Sequence, residues 1–205
     1  MDKLKFQVED STEYKILQAA IQLFQKYGLT KVTMDDVAKA IGKGRSSLYY
    51  YYKSREEVFE AVMHATIQQI IQEITKAVQS YPDLTSKIQI FSQTKLKTSN
   101  QWQSFFRALE NGMGVAEINK HAQTMNTFHL ELMQKETEIL QNIFEQAILN
   151  GQIPKTSQKD LSNHIAVYLC SIRGIKREHI NNNKDFKDLA PLINTLSNML
   201  IKSLQ

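Results

Sequence analysis

An all-α fold is what this 205-residue sequence predicts, on three observations. Glycine (7) and proline (3) are scarce, whereas sandwiches and barrels need many turns. Apolar residues recur at steps of three and four along most of the chain, the spacing of an amphipathic helix. No stretch shows the strict alternation of a strand, and there is no repeat or low-complexity tract. The expected architecture is an N-terminal three-helix unit of helix-turn-helix type followed by a larger helical domain, about nine helices in total.

Residues 12–27 read as the first helix. Ile16, Leu17, Ala20, Leu23, Phe24 and Tyr27 share a face, Ser11 or Asp10 can cap the start, and Gly28 stops it. A second helix begins near Thr33, whose hydroxyl can cap it, with Asp36 three residues on as a short capping-box partner. Met34, Val37, Ala38 and Ile41 are its buried stripe, and Gly42 ends it. A turn through Lys43-Gly44 leads to a short third helix, Arg45–Tyr52. Ser54-Arg55-Glu56-Glu57 is a full capping box for a long fourth helix. That helix carries Val58, Phe59, Val62, Thr66, Ile70, Ile74 and Val78, and ends at Tyr81-Pro82.

Ile88, Phe91 and Leu96 predict a fifth helix; Trp102, Phe105, Phe106 and Leu109 predict a shorter sixth, closed by Gly112 and Gly114. Residues 116–150 form a long seventh, with Leu132, Ile139, Leu140, Ile143, Phe144 and Ala147 on one side. Gly151 and Pro154 break it. Ser157 with Asp160 caps the eighth, which carries Leu161, Ile165, Tyr168, Leu169, Ile172 and Ile175. Asn181-Asn182-Asn183 is a polar loop. The last helix carries Phe186, Leu189, Leu192, Ile193, Leu196 and Leu200, with Pro191 either in its first turn or kinking it.

Composition narrows the function. The single cysteine, Cys170, excludes an internal disulfide and a Cys-rich zinc site. A reducing cytoplasm is its natural setting. The longest apolar runs are only a few residues, so no signal peptide and no membrane span are expected. The net charge of +4 is unevenly placed: residues 1–55 hold 10 basic and 6 acidic residues, and residues 56–205 hold 15 of each. A basic end on a neutral body suggests that this end meets a polyanion.

The second and third helices, joined through a glycine turn, form a helix-turn-helix, whose second member braces while the third enters the major groove. At 100° per residue Leu48 and Tyr52 fall on one side of the third helix, with Tyr51 beside them. Ser46 and Tyr50 fall opposite, flanked by Arg45, Ser47 and Tyr49. Arg45, Ser46 and Tyr50 therefore point outward, where an arginine fork can pair with guanine O6 and N7. The tyrosine hydroxyls, Thr33, Lys43 and Arg55 suit phosphate contacts.

The stretch from Thr33 to Val58 (TMDDVAKAIGKGRSSLYYYYKSREEV), with the preceding helix Ile16–Gly28, resembles the DNA-binding signature of the tetracycline-repressor (TetR) family of bacterial regulators. The likeness covers roughly residues 12–60. It implies that Thr33 and Arg55 touch phosphate and that Arg45, Ser46, Ser47, Tyr49, Tyr50 and Tyr51 face DNA. It also implies a DNA-binding domain over 1–55 and an effector-binding and dimerisation domain over 56–205. The sequence departs from the pattern at Lys43, where an apolar residue is common, at Gly44, where a serine is common, and at Tyr51-Tyr52, where His-Phe is common. Gly44 removes a good cap, and Lys43 adds a cation near the DNA backbone.

A family member usually binds a small effector in its larger domain, and Trp102, Phe105, Phe106, Met113, Met125, Phe128, His129 and Met133 are the candidates here. They mix aromatics with flexible methionines and either line an apolar pocket or fill the core. By the same resemblance the last two helices form a homodimer interface. Leu161, Ile165, Tyr168, Leu169, Ile172, Leu189, Leu192, Ile193, Leu196 and Leu200 either supply that seam or cover the subunit's own core.

The expected function is a dimeric repressor in the cytoplasm, on the nucleoid when bound to DNA, that reads a palindromic operator and is released by an apolar effector. A DNA-binding regulator without a small effector, protein-controlled or an activator, is the alternative. A helical-bundle metalloenzyme is more remote: no histidine has glutamate three residues before it, although Glu60/His64 and Glu117/His121 are spaced four apart. There is no phosphate loop, His-Glu-x-x-His or nucleophile elbow. No cofactor and no metal are expected.

Overall fold

The computed structural model describes residues 11–182 and 188–204, and every regular element among them is helical. The order is α1 Thr12–Tyr27, α2 Met34–Ala40, α3 Arg45–Tyr51, α4 Arg55–Gln79, α5 Leu84–Leu109, α6 Val115–Leu149, α7 Gln158–Asn181 and α8 Leu189–Ser203. Asp10 as a cap, Asn183 and Phe186 lie outside the described residues.

Eight helices stand among the described residues, against the nine expected. The expected fifth and sixth are one continuous helix, α5. Nothing between Leu96 and Trp102 breaks it, since the segment holds neither glycine nor proline, and Thr98 occupies the buried position between them. A second correction concerns α1. Its buried face is Ile16, Leu17, Ala19, Ala20, Ile21 and Phe24, while Tyr27 is exposed with the Lys26 ammonium over its ring.

Local signals place most helix ends. Ser11 Oγ accepts from the Tyr14 N–H at 3.1 Å, and Ser157 Oγ accepts from the Asp160 N–H at 3.1 Å. Thr33 and Asp36 form a complete capping box. At α4 the box is displaced by one residue: Ser54 Oγ accepts from the Glu57 N–H, but Glu57 reaches back to the Lys53 N–H at 2.7 Å. Pro191 lies in the first turn of α8, where its missing N–H has no helical partner to lose.

The chain divides into two compact units. One runs to Ile70 and takes in Thr98–Leu130; the other comprises Ile71–Lys97 and the chain from Glu131. In the first, α1, α2 and α3 pack in succession, and Phe59 of α4 meets Phe24 and Phe128 edge-on at 6.1 and 6.0 Å. The α1–α2 turn is seated on the α5–α6 turn. The Leu29 N–H donates to the Leu109 carbonyl at 3.1 Å. Gly28 has φ +83°, and a Cβ there would lie 2.4 Å from the Asn111 carbonyl oxygen. A side chain at position 28 is therefore excluded twice, by backbone conformation and by space. In the second unit α7 packs on α8, and the buried Tyr168 hydroxyl and Ser197 Oγ are hydrogen-bonded at 2.8 Å. Burial raises the Tyr168 pKa. Lys95 and the buried Glu136 form an ion pair there.

Candidate nucleic-acid interface

The α2–α3 turn is made by Gly42, at φ +66°, and by the Lys43 N–H donating to the Ala38 carbonyl at 3.0 Å. Gly44 is the N-cap of α3 and offers no side-chain cap, as its departure from serine implied. Leu48 is the one buried residue of α3, at 0% exposure. Just past the helix, buried Tyr52 donates its hydroxyl to Glu13 Oε1 of α1 at 3.1 Å, so both anchors face inward. Burial and Glu13 together push the Tyr52 pKa up, and the phenol stays a donor.

The opposite face is open. Thr33, Lys43, Arg45, Ser46, Ser47, Tyr50 and Tyr51 are exposed, and Tyr49 is half-buried. Tyr50, at 79%, is the most protruding of the tyrosines. Arg45 is held in place rather than loose: Nη2 donates to the Tyr49 hydroxyl at 3.2 Å, Nε stands 3.2 Å from Asp35 Oδ1, and the guanidinium covers the Tyr49 ring at 5.4 Å. A pre-oriented guanidinium loses less entropy when it pairs with a planar partner.

Two of the expected phosphate contacts are already engaged. Thr33 donates its hydroxyl proton to Asp36 Oδ2 at 2.7 Å, and this bond with the Thr33 N–H holds the Asp36 carboxyl below its usual range. Arg55 donates through Nη1 to the Thr30 carbonyl at 2.9 Å and through Nε and Nη2 to Glu56. Thr33 would have to exchange an internal bond for a phosphate, whereas Arg55 keeps two N–H donors beyond these three.

The expected effector residues do not form one lining. Trp102, Phe105 and Phe128 are buried, with Trp102, Phe105 and Phe106 clustered edge to edge. Met113 and Met125 are half-buried, and His129 is exposed. Met133 belongs to the other unit, where its sulfur meets the Arg173 guanidinium. A cleft of about 390 Å³ lies elsewhere in the first unit, and of the eight candidates only Met113 lines it. Its other walls are Leu29 and Thr30 of the α1–α2 turn, Arg55, Glu56, Phe59 and Glu60 of α4, and Glu117, Lys120, His121 and Thr124 of α6. Glu60 and the Glu117/His121 pair thus share one cleft, a meeting for which their spacing was the available signal. Even so, no group of three or more His, Cys, Asp or Glu side chains among the described residues is placed to hold a metal.

Of the expected dimer residues, Leu161, Ile165, Tyr168, Leu169, Ile172, Leu189, Ile193 and Leu200 are buried within their own chain. Leu196 is half-buried, and Leu192 is exposed. The apolar side chains that α7 and α8 do leave open, beside Leu192, are Val167 and Met199, at 65% and 63%. Sequence reasoning missed both. The signal for Met199 was position: Leu192, Leu196 and Met199 follow one another at steps of four and three on α8. No helix among the described residues is long and apolar enough to cross a membrane.

Comparison with known proteins covers the same ground. Residues 16–62 match the family of bacterial regulatory proteins, tetR family. The helix-turn-helix regulator YhgD of Bacillus subtilis is 31% identical over 64 residues, 31% of this chain and 34% of that protein. The negative regulator IcaR of the icaADBC biofilm operon of Staphylococcus epidermidis is 40% identical over 45 residues, 22% of this chain and 24% of that protein. The chain thus spans about a third and about a quarter of the length of these two relatives. In fold the likeness is nearly complete. A transcriptional regulator from Cytophaga hutchinsonii superposes with a TM-score of 0.67 at 23% identity, over 93% of this chain and 96% of that one. The regulator FadR of Bacillus subtilis, in complex with stearoyl-CoA, superposes with 0.64 at 15% identity, over 93% and 98%. These relatives are regulators of transcription and not enzymes. By its head, α1 to the start of α4, this chain is similar to the tetR family of bacterial regulatory proteins.

Proposed function

We propose that the chain is a homodimeric, ligand-responsive repressor of transcription, with residues 1–55 as the reading head and 56–205 as the effector-binding and dimerisation part. The observation that carries this is the open face of α3, where Arg45 is pre-oriented by Tyr49 and Asp35 over a helix anchored inward by Leu48. In this reading Arg45, Ser46 and Tyr50 meet base edges. Thr33, Lys43, Ser47, Tyr49, Tyr51 and Arg55 meet phosphates, which fix register without reading sequence. The negative regulator IcaR, similar in its head, supports repression. FadR, similar in fold and holding stearoyl-CoA, supports a body that takes a small molecule. Two copies of the head read a palindrome in the cytoplasm, on the nucleoid.

The dimer is placed on the face of α7 and α8 that carries Val167, Leu192 and Met199. Val167 and Met199 line one shallow depression, and Leu192 is open on the same helix as Met199; such exposed apolar side chains favour an association surface, which a two-fold axis pairs with itself. The buried state of Phe105 and Phe128 favours a second reading for that place, a regulator that answers to a protein partner and has no effector among these aromatics.

Selection of random duplex DNA at about 150 mM salt, near physiological ionic strength, tests the proposal. Enrichment of a palindrome is the expected result. Binding that fades evenly on all sequences as salt rises would reduce the head to a basic patch and overturn it.

A further inference from the structure

We propose that the cleft between the α1–α2 turn, the start of α4 and the start of α6 is a binding site for a small amphiphilic cation. Its apolar body lies on Phe59, Leu29 and Met113, and its protonated amine meets Glu60 and the imidazole of His121. This rests on the ligand-responsive reading above and moves the ligand away from the aromatic cluster of Trp102, Phe105 and Phe128.

Three observations carry it. The first is size: about 390 Å³ is within the range that holds a small molecule. The second is His121, which lines the cleft, is 7% exposed, packs on Phe59 with ring centroids 5.8 Å apart, and makes no hydrogen bond among the described residues. Its ring nitrogens are not sealed off by protein, so they are open to a ligand head in the cleft. Burial holds its pKa below the usual histidine value against the opposite pull of Glu110. The ring is therefore neutral near pH 7 and offers an acceptor without repelling a cation.

The third is charge. The walls hold Arg55 and Lys120 against Glu56, Glu60 and Glu117. Arg55 gives three of its five N–H donors to Thr30 and Glu56, and Lys120 helps to draw the Glu56 pKa down. Glu117 Oε2 is spent on the Gly114 N–H at 2.8 Å, whereas exposed Glu60 keeps its acceptors. Spare acceptors and net negative charge favour a cation over an anion, and the Phe59 ring adds its π face. Leu29 and Thr30 line the cleft beside the contact of Leu29 with Leu109, so an occupant bears directly on how the head is seated.

The test uses the full chain without DNA and three probes of one shape: 1-naphthylmethylamine, 1-naphthylmethanol and 1-naphthoate. Each is titrated to roughly millimolar concentration, which detects binding near 4 kcal/mol, while the histidine ring resonances are followed by NMR. The amine is expected to bind about tenfold or more tightly than the carboxylate, to shift the His121 signals, and to weaken severalfold with E60Q and with H121F. E60Q alters an exposed side chain, so its fold is kept whatever becomes of H121F. Tighter binding of the carboxylate, no binding by any probe, or amine binding unchanged in both variants would overturn the proposal. Binding abolished by W102L and untouched by E60Q would also overturn it, by placing the ligand among the aromatics, and would leave the ligand-responsive reading standing.

Discussion

α3 and α7 are both amphipathic helices, and they are anchored in opposite ways. α3 buries Leu48 alone, and no side chain caps its start. α7 opens on the Ser157–Asp160 cap and buries Leu161, Ile165, Tyr168, Leu169 and Ile172. α7 is thus stabilised chiefly by the face it buries, although its other face, with Val167, is open. α3 is held by one leucine and the Tyr52 bond to Glu13, and nearly its whole surface is available to a partner. A helix built to read cannot also be built to pack.

The largest effect expected from this contrast is at the anchors. L48A and L169A each delete a buried leucine, at a cost of about 2–5 kcal/mol, read from urea unfolding. L48A is also expected to abolish DNA affinity, because α3 has no second buried residue. The folded fraction of L169A is expected to bind DNA as before. Equal losses of affinity would break the comparison.

Next come the glycines around the head. G28A forces a Cβ to within 2.4 Å of the Asn111 carbonyl oxygen and is expected to cost about 1–3 kcal/mol from overpacking on top of its own positive-φ cost. G42A meets nothing within 4 Å, which leaves the positive-φ cost of about 1–2 kcal/mol. Thermal unfolding of the pair should rank them in that order. An equal shift would show that the α1–α2 turn yields to the added methyl.

R45A is expected to weaken operator binding by about 1–3 kcal/mol and to relax preference at one base position. Repeating the DNA selection with the variant reads both. Loss spread evenly over all sequences would assign Arg45 to phosphate. The smallest effect is at the missing cap. A Cβ at position 44 would lie 4.0 Å from Ser46 Oγ, an ordinary contact, so G44S is expected to stabilise α3 by a few tenths of a kcal/mol. Slower amide exchange over residues 45–51 measures it, and no change would mean that the serine hydroxyl is turned away from the helix.

The same contrast explains what could be read from the sequence. The Thr33–Asp36 box, the Gly42 turn, the bare Gly44 and the inward Leu48 all depend on neighbours within a few positions, so local spacing reveals them. α7 and α8 are apolar on more than one side. Periodicity there cannot separate Tyr168, which belongs to the chain's own core, from Val167, which does not. The fifth and sixth helices expected there are one because residues 97–101, though polar, hold neither glycine nor proline, and polarity alone does not stop a helix. The cleft was out of reach for a different reason. His121 is buried by Phe59, which lies two helices away along the chain.

The bond from the Leu29 N–H to the Leu109 carbonyl sets an order of events during translation. The α1–α2 turn leaves the ribosome well before its acceptor has been synthesised, and Gly28 has no Asn111 to rest against until α5 is complete. A nascent chain can therefore form α1, α2 and α3 early, yet the turn between α1 and α2 keeps its N–H on water until then. A message cut short before codon 109 would release a head whose turn has lost its seat, with the tyrosines of α3 already on show.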